Sequence, residues 1–266
     1  MNRKIVSTGC ILVCITLVQA REFWLQPDKF IFQPGENLLL SFNVGENFMG
    51  GRWSLGRQAI TRLERHQLGK MNNLSSLIKD GDNNPIPIPL QEEGTQLILM
   101  ESNNSFLERE GDSFNEFLKS EGQDDVLAHR EKTNSLANPG KEFYSCHTKL
   151  LVQVGNKKDD TFRKPDGFPV EIIPEKNPYT LQKGDPLRFK IVYQGKPLFG
   201  ARVKVWNRYD NRTTLQNIYT EKNGVIETRI SNPGPWMVTV IKMLPSKAAG
   251  AEWQSYRVSL VFGIVY

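Results

Sequence analysis

The sequence predicts a mainly β protein made of two β-sandwich domains, with a short helical insertion in the first domain. Apolar and polar residues alternate over Glu142–Val154, as on a strand with one buried face. About seven short strand candidates separated by turn residues follow in the C-terminal part of the chain, which is typical of an immunoglobulin-like sandwich. Between Asn104 and Asn134 the apolar residues instead fall at helical spacing.

Residues 1–20 predict a cleavable signal peptide. Arg3 and Lys4 supply a positive start, and Ile5–Val18 is an uncharged, mostly apolar run that ends before small residues. The run is shorter than the ~20 residues that a membrane-spanning helix needs. Cleavage after position 20 leaves Arg21 as the new N-terminus, so we expect an exported protein of the periplasm or outer cell envelope, with no membrane span after signal cleavage. An uncleaved anchor is the alternative.

The remaining chain divides at a charged segment. We expect an N-terminal β domain over residues 21–156, with the helical insertion at about 106–134. Residues 157–167 carry many charges, a proline and a glycine, which is typical of a linker. Residues 168–266 form the predicted C-terminal immunoglobulin-like β-sandwich.

Turn residues refine this picture. Asn223-Gly224 between alternating segments predicts a β-hairpin joining Asn217–Thr220 to Val225–Ile230. The Pro-Ile-Pro-Ile-Pro run at 85–89 cannot lie in the middle of a sheet, because proline has no amide hydrogen to donate to a neighbouring strand.

Composition and motifs exclude several classes of function. The 34 Lys and Arg exceed the 29 Asp and Glu without forming one long basic tract, so a nucleic-acid partner is not indicated. The sequence has no Gly-rich phosphate loop, no G-x-S-x-G and no H-E-x-x-H. One basic group is interpreted as ordinary surface charge: Arg57, Arg62, Arg65, His66 and Lys70.

Cys146 and His147 are neighbours on a predicted strand, so their side chains point to opposite faces and do not form a nucleophile–base pair. We expect Cys146 to be an inert buried residue and His147 to contact solvent or a loop. The three histidines, at 66, 129 and 147, lack the spacing of a metal-binding pair. The sequence therefore assigns no catalytic residue and no binding residue.

Several short segments occur together in one order along the chain. They are Glu22–Pro27, Phe117–Gly122, Tyr144-Ser145, Leu150–Gly155, Asn177–Tyr179, Gly195–Leu198, Asn223-Gly224, Pro235-Trp236, Met243, Ser255-Tyr256, Ser259-Leu260 and Phe262. This ordered set resembles a family of exported bacterial two-domain β proteins of unknown function, often described as periplasmic components of cobalt or nickel uptake. The resemblance implies two β domains outside the inner membrane.

The resemblance also implies a transition-metal site, with one histidine at the mature N-terminus and another just before the residue matching Met243. This chain has Arg21 and Lys242 at those positions. Protonated guanidinium and ammonium groups offer no lone pair to a metal. The ligand, and whether a metal is a cofactor, stay open at this point.

We expect a non-catalytic extracytoplasmic binding or accessory protein, as a divergent component of nickel or cobalt uptake that works with envelope transporter or receptor proteins. The alternative is a structural or protein- and glycan-interaction module of the cell envelope. An enzyme with an unmarked carboxylate site is a third interpretation.

Overall fold

The computed structural model describes residues 22–53, 57–82 and 84–266, and these residues form a mainly β structure with two α-helices, as predicted. The strands of the first half are β1 Glu22–Pro27, β2 Ile31–Phe32, β3 Glu36–Glu46, β4 Met49–Arg52, β5 Ile60–Gln67, β6 Lys70–Asn73, β7 Ile86–Leu90, β8 Gly94–Ser102, β9 Ser105–Arg109 and β10 Gly140–Val154. Those of the second half are β11 Val170–Pro174, β12 Pro186–Tyr193, β13 Lys196–Pro197, β14 Arg202–Tyr209, β15 Arg212–Tyr219, β16 Val225–Arg229, β17 Gly234–Pro245 and β18 Trp253–Ile264. The predicted signal peptide lies outside the described residues.

A ten-stranded sheet forms the middle of the molecule. Its strand order is β15-β14-β17-β18-β10-β8-β5-β6, and β2 and β9 also pair with β10. Strand β10 runs parallel to β18 over nine residue pairs, from Glu142 opposite Trp253 to Leu150 opposite Val261. Strands from both predicted domains therefore belong to one sheet.

Two smaller sheets cover the middle sheet on opposite faces. The first contains β1, β3, β4 and β7, and the second contains β11, β12, β13 and β16. Alternate residues of β8 show the two faces: Leu97 and Leu99 pack in the core under the second small sheet, whereas Ile98 and Met100 pack in the core under the first. The two sandwiches thus share their middle layer.

Strand β10 is buried on both faces, so the prediction of a single buried face is wrong. Every residue from Ser145 to Val154 is buried. The apolar positions lie in the two cores, and the polar positions Ser145, His147, Lys149 and Gln153 are enclosed as well. A buried polar group is stable only when it finds a partner inside the protein.

The predicted helical insertion contains helices α1 Gly111–Ser120 and α2 Asp124–Lys132, preceded by the short strand β9. Phe114, Phe117 and Leu118 of α1 are buried, and they form a small core with Met243 and Trp253. The insertion therefore packs against β17 and β18, which come from the second half of the chain.

The segment at 157–167 is packed against the sheets. It contains a 3₁₀ helix at Asp160–Arg163 in which Phe162 is buried. The carboxylate of Asp166, 3% exposed, accepts a hydrogen bond from the Lys149 ammonium group of β10. The chain passes between its two halves here, and the division into two domains stays a prediction.

The predicted turns are present, but one joins its strands differently. Gly224 has a φ of +78°, and its amide donates to the Glu221 carbonyl at 2.8 Å. Beyond this turn the strands separate, because β15 pairs with β14 and β16 pairs with β12, so the predicted hairpin is wrong. Among the described strands, the proline-rich β7 pairs only with β3 and lies at a sheet edge, as predicted.

The buried Lys149–Asp166 pair predicts a large loss of stability when one partner is removed. Asp166→Asn leaves the ammonium group of Lys149 without its counter-charge, and we expect the free energy of unfolding to fall by about 3–5 kcal/mol. Urea denaturation measures this change. Asp160→Asn, which removes an exposed ion pair with Arg163, is the matched control and should cost at most about 1 kcal/mol. Equal effects of the two substitutions would contradict the structural role of the buried pair.

Candidate functional site

An open cleft of about 650 Å³ lies on the middle sheet, on the face that carries the second small sheet. Four adjacent strands, β5, β8, β10 and β18, supply its floor. The side chains that line it include Arg62, Glu101, Ser145, His147, Gln254 and Tyr256. We call this space the His147 cleft.

Strand pairing explains why these side chains meet. Arg62 of β5 is the cross-strand partner of Glu101 on β8. On the other side, Ser145 of β10 is the partner of Tyr256 on β18. Cross-strand partners lie side by side on one face of a sheet, so the pairs converge although they are far apart in the sequence.

His147 is one of the residues that line the cleft and is 1% exposed. Its Nε2 atom is 2.9 Å from the Ser145 hydroxyl oxygen. The ring contacts Phe168 with centroids 4.9 Å apart and Tyr256 with centroids 5.8 Å apart. These contacts fix the imidazole orientation. His147 contacts a loop, as predicted, because Phe168 lies in the loop before β11, but the ring is shielded from solvent since β10 is covered on both faces.

The second ring nitrogen of His147 has no hydrogen-bond partner. This Nδ1 atom is buried and lies 3.9 Å from the Oε1 atom of Glu101, which is too long for a hydrogen bond. Burial lowers the pKa of His147 to about 4, so the imidazole is neutral near pH 7. Burial also raises the pKa of Glu101 above its ordinary value.

Arg62 and Glu64 form an ion pair at the side of the cleft. An Nη2 atom of Arg62 lies 2.8 Å from a carboxylate oxygen of Glu64. The same guanidinium donates to the Asp166 carbonyl at 2.6 Å. Hydrogen bonding from Arg62 lowers the pKa of Glu64. Arg62 is therefore a partly buried structural cation, whereas the sequence was interpreted as showing only surface charge there.

The positions implied by the metal-uptake resemblance lie elsewhere. Arg21 is outside the described residues. The side chain of its neighbour Glu22 is 8% exposed, and desolvation raises its pKa to about 7 although Lys204 lies 3.8 Å away. Lys242 lines a separate surface depression of about 260 Å³ with Asp124 and Asp125. Within the described ranges, no three His, Cys, Asp or Glu side chains come together as a group that could hold a metal ion.

Cys146 is fully buried on the opposite face of β10, as predicted. Its backbone amide donates to the Ser102 hydroxyl at 2.9 Å, and burial raises the thiol pKa to about 12. A thiol held in this way is inert as a nucleophile. Across the described part of the chain, no helix has both the length and the apolar character needed to cross a lipid bilayer.

The fold and the cleft define a mainly β protein with a polar cleft on a shared middle sheet. The chain belongs to the DUF4198 family, a domain of unknown function, whose sequence model matches residues 18–243. The resemblance to a family of unknown function is thereby confirmed, while the cobalt or nickel uptake role stays a prediction. No curated protein matches the chain.

A solved structure of a mutant of Salmonella alpha-2-macroglobulin is similar to this chain with a TM-score of 0.25 and 12% sequence identity. The alignment covers 90% of this chain and 14% of the macroglobulin chain. A similarity at this level carries no conclusion about function.

The sequence contained one unused signal for this site. Ser145, His147, Lys149 and Gln153 recur at every second or fourth position of a strongly apolar strand. In an exposed strand such residues face water, but in a strand covered on both faces they form an internal polar row. Only the position of β10 within the sheet distinguishes the two cases.

The low pKa of His147 predicts a pH-dependent contribution to stability. Between pH 6.5, its ordinary pKa, and about 4, the unfolded chain binds a proton at this residue and the folded protein does not. The free energy of unfolding therefore falls as pH decreases, by up to about 3 kcal/mol over this window. Denaturation of His147→Gln should show a flatter pH dependence there.

His129→Gln, which replaces an exposed histidine, is the control for the loss of an imidazole. Parallel stability curves for the wild type and His147→Gln would contradict the neutral, buried state of His147.

Proposed function

We propose that the protein is a non-catalytic binding protein of the bacterial cell envelope that holds a glycan in the His147 cleft. The observation that carries this proposal is the cleft itself, about 650 Å³ of open space lined by side chains from four adjacent strands. Binding sites for small polar ligands are concave and contain a few convergent hydrogen-bonding groups.

The lining groups suit a saccharide. The Gln254 and Asn104 side-chain amides meet at 3.0 Å at the rim, and carboxylate and hydroxyl groups lie deeper. Amides, carboxylates and hydroxyls supply the donors and acceptors that sugar hydroxyls need. The half-buried ring of Tyr256 offers an apolar surface against which a sugar ring packs.

The geometry favours binding over catalysis. Ser145, His147 and Glu101 are in the order nucleophile, base and carboxylate, but the 3.9 Å separation of His147 and Glu101 leaves the base unoriented. The absence of familiar enzyme motifs in the sequence supports the same interpretation.

A location outside the cytoplasm rests on the predicted signal peptide at residues 1–20. The family resemblance implies metal ligands at the mature N-terminus and just before Met243, where this chain has Arg21 and Lys242. We therefore assign the binding role to the His147 cleft rather than to a metal at the N-terminus.

Calorimetric titration of the mature protein with nickel, cobalt and copper salts should give no heat beyond dilution.

A glycan array carrying neutral, acidic and amine-bearing saccharides tests the proposed function. The wild-type protein should be retained on a subset of the saccharides. Tyr256→Ala removes the aromatic surface and should weaken binding about tenfold, which corresponds to about 1.4 kcal/mol. Tyr209→Ala, at an exposed tyrosine outside the cleft, is the matched control and should bind as the wild type does. An array that retains no protein, or equal binding by Tyr256→Ala, would overturn the proposal.

A further inference from the structure

The Glu101 carboxylate in the His147 cleft is attracted by its cross-strand neighbour Arg62, but that guanidinium is bonded to other groups. Arg62, Glu64 and Glu101 are the charged residues that line it. Arg62 is paired with Glu64 and is also bonded to the Asp166 carbonyl. In the described part of the chain, no Lys or Arg forms an ion pair with the Glu101 carboxylate. An ionised carboxylate that is partly removed from water is stabilised by a nearby cation.

His147 does not supply that cation. Its imidazole is neutral near pH 7 because the ring is buried. Its Nδ1 atom is buried and unpartnered, 3.9 Å from Glu101 Oε1. Two groups that can accept hydrogen bonds therefore lie next to each other in the cleft, and neither accepts one from another side chain in the described part of the protein. A ligand group with several N–H donors and one positive charge satisfies both.

We propose that the feature recognised in the His147 cleft is a protonated primary amine, placed between the Glu101 carboxylate and Nδ1 of His147. This inference rests on the proposed function and names the class of glycan, an amino sugar with a free amine. The ammonium donates one hydrogen bond to Glu101 and one to the Nδ1 lone pair. The imidazole is then the tautomer that donates its Nε2–H to the Ser145 hydroxyl oxygen, 2.9 Å away.

Tyr256 adds a second source of selectivity. Its ring lines the same cleft and contacts the His147 ring. The face of a tyrosine ring attracts an ammonium group through its negative electrostatic potential. A neutral saccharide gains only the packing part of this contact, and an acidic saccharide is repelled by Glu101. An amine-bearing saccharide gains both the packing contact with the Tyr256 ring and the electrostatic attraction of its face.

Three disaccharides that share one β-1,4-linked glucose skeleton separate these cases. The glucosamine disaccharide carries free amines, its N-acetylated form carries neutral amides, and cellobiose carries hydroxyls at the same positions. Calorimetry on the mature wild-type protein near pH 7 should show the glucosamine disaccharide binding about tenfold more tightly than the other two. This preference should decrease as salt concentration rises.

Glu101→Gln keeps the shape of the side chain and removes its charge, so it should abolish the preference for the amine. Glu108→Gln removes an exposed carboxylate on β9 and should leave the preference unchanged. Thermal denaturation shows whether each variant is folded. If Glu101→Gln does not fold, the comparison of the three disaccharides on the wild type still tests whether the cleft recognises an amine.

Equal affinity for the three disaccharides, or a preference retained in folded Glu101→Gln, would overturn this inference. Binding of neutral or acidic saccharides alone would also overturn it, and the proposed glycan-binding function would stand. Failure of every saccharide on the array to bind would overturn both. An amine preference that is lost in Glu101→Gln and kept in Glu108→Gln is the result we expect.

Discussion

The burial of β10 on both faces is the constraint on which the rest of the structure depends. A strand in the middle of a three-layer protein cannot place its polar side chains in water, so each must find a partner inside. Gln153 meets this requirement through Thr95 of β8, whose hydroxyl donates to it at 3.0 Å. Lys149 meets it through Asp166, and Ser145 meets it through His147.

These partners shape the protein around the sheet. Asp166 holds the segment between the two halves of the chain against β10. On the opposite face, Glu142 is fully buried and accepts hydrogen bonds from Arg109, Arg257 and Ser255. The Arg109 guanidinium lies 4.2 Å from the centre of the Phe117 ring, which connects α1 to this network. Polar pairing thus holds together elements that come from distant parts of the chain.

The same requirement produces the cleft. His147 uses one ring nitrogen internally, and its other nitrogen is buried without a hydrogen-bond partner, 3.9 Å from the Glu101 carboxylate. The result is a rigid, neutral imidazole beside an unpaired carboxylate, held between two aromatic rings. This preorganisation favours ligand binding, because the protein groups lose little freedom when a ligand arrives.

The sequence predicted much of the local structure and little of how the strands combine. The alternation and turn residues of the second half predicted its strands well, for example the prediction at Val225–Ile230, where the structure has β16. The hairpin at Gly224 was predicted wrongly because turn chemistry fixes the turn but not the sheet that each strand joins. The loop contact of His147 was predicted correctly, but its burial from solvent was not, because alternation does not reveal that a second sheet covers the polar face.

The cleft was not predictable, because Arg62, Glu101, His147 and Tyr256 meet only through strand pairing between distant segments. The spacing of residues along the sequence does not indicate which distant strands pair. In contrast, the burial of Cys146 was predicted correctly, because its position on the apolar face of the strand is a local property of the sequence.

The most direct test of the cleft as the binding site is an NMR titration of the histidine ring signals with the saccharide that binds most tightly on the array. The ring signals of His147 should shift in a saturable way, while those of His129, which lies outside the cleft, should stay in place. Saturable binding that leaves the His147 signals unmoved would contradict the assignment of the site.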